Sequence, residues 1–133
     1  MPFHENKILM GMIRKIIKEL NVSDFIETGT CEAQTSSYVA TTYPFLKVYT
    51  CEIDEKYYQK SVKKLSIYKN ASISKESSEK YIERLISNKI IGNMPLFYLD
   101  AHWYDYWPLQ DEVKTISKLS QFVILADDFK VPG

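Results

Sequence analysis

Apolar side chains at Leu9, Met12, Ile13, Ile16, Ile17 and Leu20 recur at helical spacing, so residues 5–20 predict an amphipathic helix with one face toward a core. Phe25-Ile26-Glu27 is a short apolar run entering a glycine-containing turn and reads as a strand end. Residues 32–43 (EAQTSSYVATTY) read as a helix that stops before Pro44, because proline disfavours helical geometry in the residue ahead of it. Residues 46–53 (LKVYTCEI) are β-branched and aromatic, the composition of a strand. Asp54 suits the N-cap of the next helix, whose Tyr58, Val62 and Leu65 fall at i, i+4 and i+7. A weak strand follows at 71–74, then a helix at 77–86 with Tyr81, Ile82, Leu85 and Ile86 on one side. Residues 95–101 (PLFYLDA) and 122–128 (FVILADD) are near-continuous apolar strands. Between them Pro108 suits a first helical position, and Leu109, Val113, Ile116 and Leu119 are expected to point inward.

The order is one helix, then strand–helix four times, then a strand. Such alternation, with apolar central strands, predicts a parallel sheet covered on both faces. Right-handed crossovers make it an open doubly wound α/β sheet of order 3-2-1-4-5, with ligands expected at the carboxyl ends of the strands near the switch between strands 1 and 4. Five strands are too few for an eight-stranded barrel.

Length and charge narrow the function classes. A chain of 133 residues predicts a single domain, large enough to bury a core without disulfides. Its parts are an N-terminal helix within 1–22 and a core over 24–128. Seventeen basic residues balance seventeen acidic ones, which removes any bulk electrostatic case for nucleic acid or an anionic membrane as partner. No apolar run nears the roughly 20 residues of a membrane helix. The start, MPFHENKILM, lacks the pattern of a secretory signal, so a cytoplasmic location is expected. The two cysteines, Cys31 and Cys51, form no CxxC pair. They sit at the ends of neighbouring strands and are expected as free thiols in a reducing compartment.

In this architecture chemistry belongs on the turns after the strands. Strand 1 ends in Glu27-Thr28-Gly29-Thr30-Cys31-Glu32-Ala33. Gly29 allows a tight turn and close approach of a ligand. The G-x-G-x-x-G fingerprint and the G-K-[ST] of a phosphate loop are both absent. Glu27 and Glu32 make the turn acidic, which suits a cationic ligand better than a pyrophosphate; an ordinary βα turn is the alternative. Glu52, 23 positions after Gly29, ends an apolar strand and stands where an acid accepts hydrogen bonds from ribose hydroxyls. Glu76 is placed either to accept from an amino group of a base or to start a helix with Ser77. Asp100 with His102, and Asp127 with Asp128, end two strands expected to be neighbours. Three carboxylates there suit Mg²⁺, Ca²⁺ or Mn²⁺, with His102 as a base; a helix cap and a solvated histidine are the alternative. Trp103, Tyr104, Tyr106 and Trp107 crowd the following connection and offer flat contact area for a ring or sugar, or for a covering part of the protein.

The segments FIETGT (25–30), CEID (51–54), KESSE (75–79), FYLDAH (97–102) and VILADD (123–128) together resemble the class I S-adenosylmethionine-dependent methyltransferases over roughly residues 24–128. The resemblance implies that Glu27, Thr28 and Gly29 hold the amino-acid part of the cofactor, that Glu52 holds the ribose, and that Glu76 and Ser77 lie near the adenine. Within that family the pattern is most similar to metal-dependent sugar O-methyltransferases of natural-product pathways. This implies Mg²⁺ on Asp100, Asp127 and Asp128, with His102 as catalytic base beside Asp100 and a small hydroxylated acceptor such as a sugar.

The departures are Ala33, where the family has a glycine, and an end after the fifth of seven strands. The C-terminal part of the fold is therefore expected to be missing, with strand 5 an open edge that a partner, such as another copy of the chain, would cover. A methyltransferase-like module that binds or assembles without turnover is the alternative function; an NAD-dependent oxidoreductase is disfavoured by the missing glycines.

Overall fold

The computed structural model describes residues 6–30, 33–100 and 109–126. Helix α1 (Lys7–Leu20) starts where the Asn6 side chain accepts the Leu9 amide at 2.9 Å and ends at Asn21 in the left-handed conformation. There follow β1 (Asp24–Thr28), α2 (Gln34–Thr42), β2 (Lys47–Cys51), α3 (Glu55–Leu65), β3 (Ala71–Ser74), α4 (Ser78–Ser87), β4 (Pro95–Leu99), α5 (Leu109–Ile116) and β5 (Val123–Ala126). The strands form one parallel sheet of order β3-β2-β1-β4-β5, as the alternation of elements predicts. Asp54 caps α3, accepting the Tyr57 amide at 3.1 Å.

Successive residues of a strand face opposite sides, and both sides of this sheet are covered. Phe25, Val48, Leu96 and Tyr98 pack toward Ile13 and Ile17 of α1 and Val39 and Ala40 of α2. Ile26, Phe97 and Leu99 pack toward Tyr81, Ile82 and Leu85 of α4 and Ile116 of α5. Every residue of β1 and β4 is buried, which is why β4 reads as an unbroken apolar run, while β1 buries Asp24, Glu27 and Thr28 beside Phe25 and Ile26. β5, the outermost strand among the described residues, has Val123, Ile124 and Leu125 half-buried.

Three helices are turned differently from their predicted faces. In α5, Glu112 is buried and Val113 is 37% exposed, although Val113 was expected inward. In α3, Ser61 and Leu65 are buried and Val62 is exposed. In α1, Ile13 and Ile17 carry the contact while Met12 and Leu20 face outward. The cause is common to all three. Neighbouring positions on a helix differ by only about 100°, so the docking angle decides which of two adjacent residues goes in. In α2, helical geometry begins at Gln34, and Ala33 before it adopts φ 61°.

At the amino end of the sheet, the buried Asp24 carboxylate accepts the Ser23 hydroxyl at 2.6 Å and the Gly92 amide at 2.7 Å. The Ser23 hydroxyl oxygen also accepts the Met94 amide at 2.9 Å. These bonds fix the approach to β4 against the start of β1, where Asp24 pairs with Pro95. A Cβ on Gly92 would lie 2.9 Å from Asp24 Oδ2 and 3.0 Å from Ser23 Oγ. Gly92→Ala is therefore expected to destabilise the protein by about 1–3 kcal/mol through loss of this bonding, read as a lower midpoint in urea with an unchanged slope. An unchanged midpoint would show that Asp24 does not pin the two strands.

Candidate functional site at the carboxyl edge of the sheet

β1 lies between β2 and β4, so its carboxyl end is the point where the strand order reverses. Three acids converge there from three strands: Glu27 near the end of β1, Glu52 after β2 and Asp100 after β4. Glu27 is 3% exposed, and the Ser36 hydroxyl from α2 donates to its Oε1 at 2.5 Å. Burial pushes its carboxyl from the ordinary 4.5 up to about 8; the Ser36 bond opposes this, and the charges of Asp100 and Glu52 add to it.

The turn after β1 is built as the sequence predicts. Gly29 has φ 72°, in the region glycine favours. The Thr30 amide donates to the Cys51 carbonyl at 3.1 Å, and the Ala33 amide to the Thr30 carbonyl at 2.9 Å. Ala33 holds a left-handed conformation that costs a non-glycine residue about 1–2 kcal/mol. Its buried methyl returns about 0.8 kcal/mol, which offsets part of that cost. The Thr30 hydroxyl is buried without a hydrogen-bond partner among the described residues, a polar atom left over at the turn.

Glu52 is 2% exposed, and its Oε2 accepts the Asp54 amide at 3.0 Å. Glu76 is engaged differently from its expected role. Arg84 of α4 grips it with two nitrogens, the shortest bond 2.7 Å, and the Ser74 hydroxyl donates to it at 2.7 Å. The Arg84 guanidinium holds this carboxyl below its ordinary value. Arg84 thus competes with any base amino group for Glu76. Ser77 caps α4 without a side-chain bond, and its buried hydroxyl has no partner among the described residues.

The Asp100 amide donates to Thr28 Oγ1 at 3.2 Å, tying the end of β4 to the end of β1. His102, Asp127, Asp128, Cys31, Glu32, the four aromatics of 103–107, Pro108 and the Leu109 side chain lie outside the described residues. Among the described residues no group of three or more His, Cys, Asp or Glu is arranged to hold a metal ion, and Asp100 is the one member of the expected trio within them. Cys51 is a buried free thiol, and burial pushes its ionisation upward, which makes it unreactive. No described helix is long and apolar enough to cross a membrane.

One acid escaped the sequence reading. Glu112, in the first turn of α5, is 1% exposed, and burial pushes its carboxyl up to about 7. Its signal was present in the chain, since Glu112, Ile116 and Leu119 stand at i, i+4 and i+7. The stripe can also be drawn through Val113, and that alternative hid it.

No protein-family model and no curated protein sequence matches the chain. Solved structures do. A Staphylococcus aureus protein described as a caffeoyl-CoA O-methyltransferase superposes with a TM-score of 0.69 at 17% identity, covering 92% of this chain and 57% of its own. An rRNA methylase from Streptococcus thermophilus gives a TM-score of 0.54 at 16% identity, covering 88% of this chain and 69% of its own. A point mutant of MtNAS in complex with S-adenosylmethionine gives 0.56 at 12% identity, with 83% and 40% covered. The chain therefore has the Rossmann-like fold seen in S-adenosylmethionine-dependent methyltransferases. It spans 57% of the length of the first of these structures.

The two raised carboxyls set a pH dependence of stability. A carboxyl raised on folding binds its proton more tightly in the folded state, so its contribution is intact below pH 4.5 and is lost as pH rises through the folded value. Stability is expected to fall between about pH 4.5 and 8, at up to about 1.4 kcal/mol per pH unit for each group. Above about pH 7 Glu27 is the principal remaining contributor, so Glu27→Gln should flatten the decline between pH 7 and 8. Urea midpoints measured across this range test it, and an unchanged slope in the variant would contradict the assignment to Glu27.

Proposed function

We propose that this chain is the cofactor-binding core of an S-adenosylmethionine-dependent methyltransferase acting on a hydroxyl of a small acceptor such as a sugar. The observation that supports it best is the buried Glu27 carboxyl beside the left-handed Gly29 turn, at the reversal point of the sheet, with Glu52 ending the adjacent strand. A ligand carrying an ammonium and a sulfonium matches an acidic turn, whereas a pyrophosphate does not.

The described residues fit the group in charge and in polar capacity. Glu27 would meet the ammonium of the amino-acid part. Thr28 and Gly29 would shape the turn, with the Thr30 hydroxyl available as a donor. Glu52, a buried carboxyl at the end of β2, would accept from ribose hydroxyls, and Ser77 has a hydroxyl for the adenine. When bound, the cofactor supplies a methyl group on a positive sulfur, which passes to the acceptor oxygen as the carbon–sulfur bond breaks. The chain's part is to place the hydroxyl in line and take its proton, the role assigned to His102 beside Asp100. Mg²⁺ on Asp100, Asp127 and Asp128 would hold and acidify that hydroxyl.

A second reading, a methyltransferase-like module that binds without turnover, draws on Ala33 in place of glycine and on the partial span of the fold. Turnover with a suitable acceptor separates the two.

Calorimetric titration with S-adenosylhomocysteine tests the cofactor site. Binding near one per chain is expected, weakened about 10- to 100-fold in Glu52→Ala. Ionised Glu27 favours the ammonium, so binding at pH 7 should release a proton, and affinity should rise toward about pH 8. Absence of binding in folded protein would refute the cofactor reading for this chain, and pH-independent binding would remove Glu27 from the site.

A further inference from the structure

Glu112 has no place in the function proposed so far, yet it is a buried acid, at 1% exposure. It projects from α5 toward the carboxyl edge of the sheet. Its carboxyl takes a hydrogen bond from the side chain of Thr28, at the end of β1, and a weaker one from Ser78, at the start of α4, whose hydroxyl is shared with Glu79 Oε2 at 3.4 Å. The same Thr28 oxygen accepts the Asp100 amide at 3.2 Å. A hydroxyl has one proton to donate, and with the Asp100 amide already on the Thr28 oxygen, that proton is directed to Glu112. One side chain thus links α5, β1, the end of β4 and the start of α4. The second oxygen, Oε2, is buried without a partner among the described residues.

A leucine would fill this position without the cost of desolvating a carboxyl. What the carboxyl adds is direction, because it gives the Thr28 hydroxyl an acceptor on α5 that an apolar side chain would take away, while the Ser78 hydroxyl has Glu79 Oε2 at 3.4 Å as a second acceptor. Both hydroxyls belong to residues adjoining the expected cofactor contacts: Thr28 lies between Glu27 and Gly29, and Ser78 follows Ser77. α4 needs such a partner, since its own N-cap Ser77 makes no side-chain bond.

We propose that Glu112 is a positioning residue of the carboxyl-edge site: through Thr28 and Ser78 it sets the end of β1, the Asp100 amide and the start of α4 in one arrangement. That this arrangement serves a cofactor rests on the reading above; that Glu112 sets it does not. The titratable groups that act on Glu112 or feel its charge are Glu79 of α4 and the Cys51 thiol of β2. Glu79 disfavours the ionised form and the Cys51 thiol is neutral, so a neutral amide is a close substitute for the acid in this place.

The test compares Glu112→Gln, which keeps an acceptor oxygen, with Glu112→Leu, which keeps only bulk. Two readouts are taken at pH 6.5: the affinity for S-adenosylhomocysteine and hydrogen exchange at the Asp100 amide. Glu112→Leu should remain folded, bind at least about tenfold more weakly and exchange at Asp100 about tenfold faster, the equivalent of one lost hydrogen bond. Glu112→Gln should restore both to within about threefold of the parent protein. Equal binding and equal exchange in Glu112→Leu would overturn the proposal, as would failure of Glu112→Gln to rescue either. If the parent protein binds no S-adenosylhomocysteine, the cofactor reading falls, while exchange at Asp100 still decides the role of Glu112. If Glu112→Leu does not fold, Glu112→Met takes its place in the exchange measurement: it too keeps bulk without a carboxyl acceptor, and unchanged exchange at Asp100 overturns the link.

Discussion

A carboxyl group buried in the central strand is the constraint around which the carboxyl edge is arranged. Glu27 belongs to β1, and β1 is covered by helices on both faces and flanked by β2 and β4. The group is 3% exposed, so the protein holds it in two ways. The Ser36 hydroxyl donates to it from α2, and the carboxyl keeps its proton well above the ordinary range. Moving β1 out of the centre of the sheet would remove both the reason for the shift and the place where strand order reverses.

The same central position explains why the site is assembled from so many elements. Parallel pairing brings the ends of β1, β2 and β4 to one edge in register, with Thr28 opposite Cys51 on one side and Leu99 on the other. Acids placed one residue after β2 and β4 therefore meet the acid of β1 without any long loop. At the opposite edge Asp24 performs the structural counterpart, with its partners supplied by Ser23 and the Gly92 amide. Of the two buried aspartate and glutamate positions in β1, Asp24 is satisfied by donors from within the fold. Glu27 keeps an upward shift despite its donor, at the end of the sheet where the cofactor site is proposed.

Much of this was legible along the chain, and the physical reason is locality. Alternation of strand and helix patterns is a short-range property, and the handedness of crossovers turns it into a sheet order. Glu27 and Glu52 stood out because a carboxylate ending an apolar strand has few inexpensive explanations. Asp54 was legible as a cap because capping involves neighbours three residues apart. Glu76 was harder to read, since the cation that engages it, Arg84, lies eight positions away and faces it only after the turn into α4 is made.

The sequence by itself determined the element order, the parallel sheet, the glycine turn after β1 and the acids at two strand ends, because each follows from periodicity or from contacts between near neighbours. The tertiary structure alone decided which of Glu112 and Val113 faces inward, which carboxyl Arg84 neutralises, and how far Glu27 is removed from water. Those outcomes depend on the rotation of a helix against a sheet and on the exclusion of solvent by distant segments. Both are collective results of packing, and no local pattern encodes them.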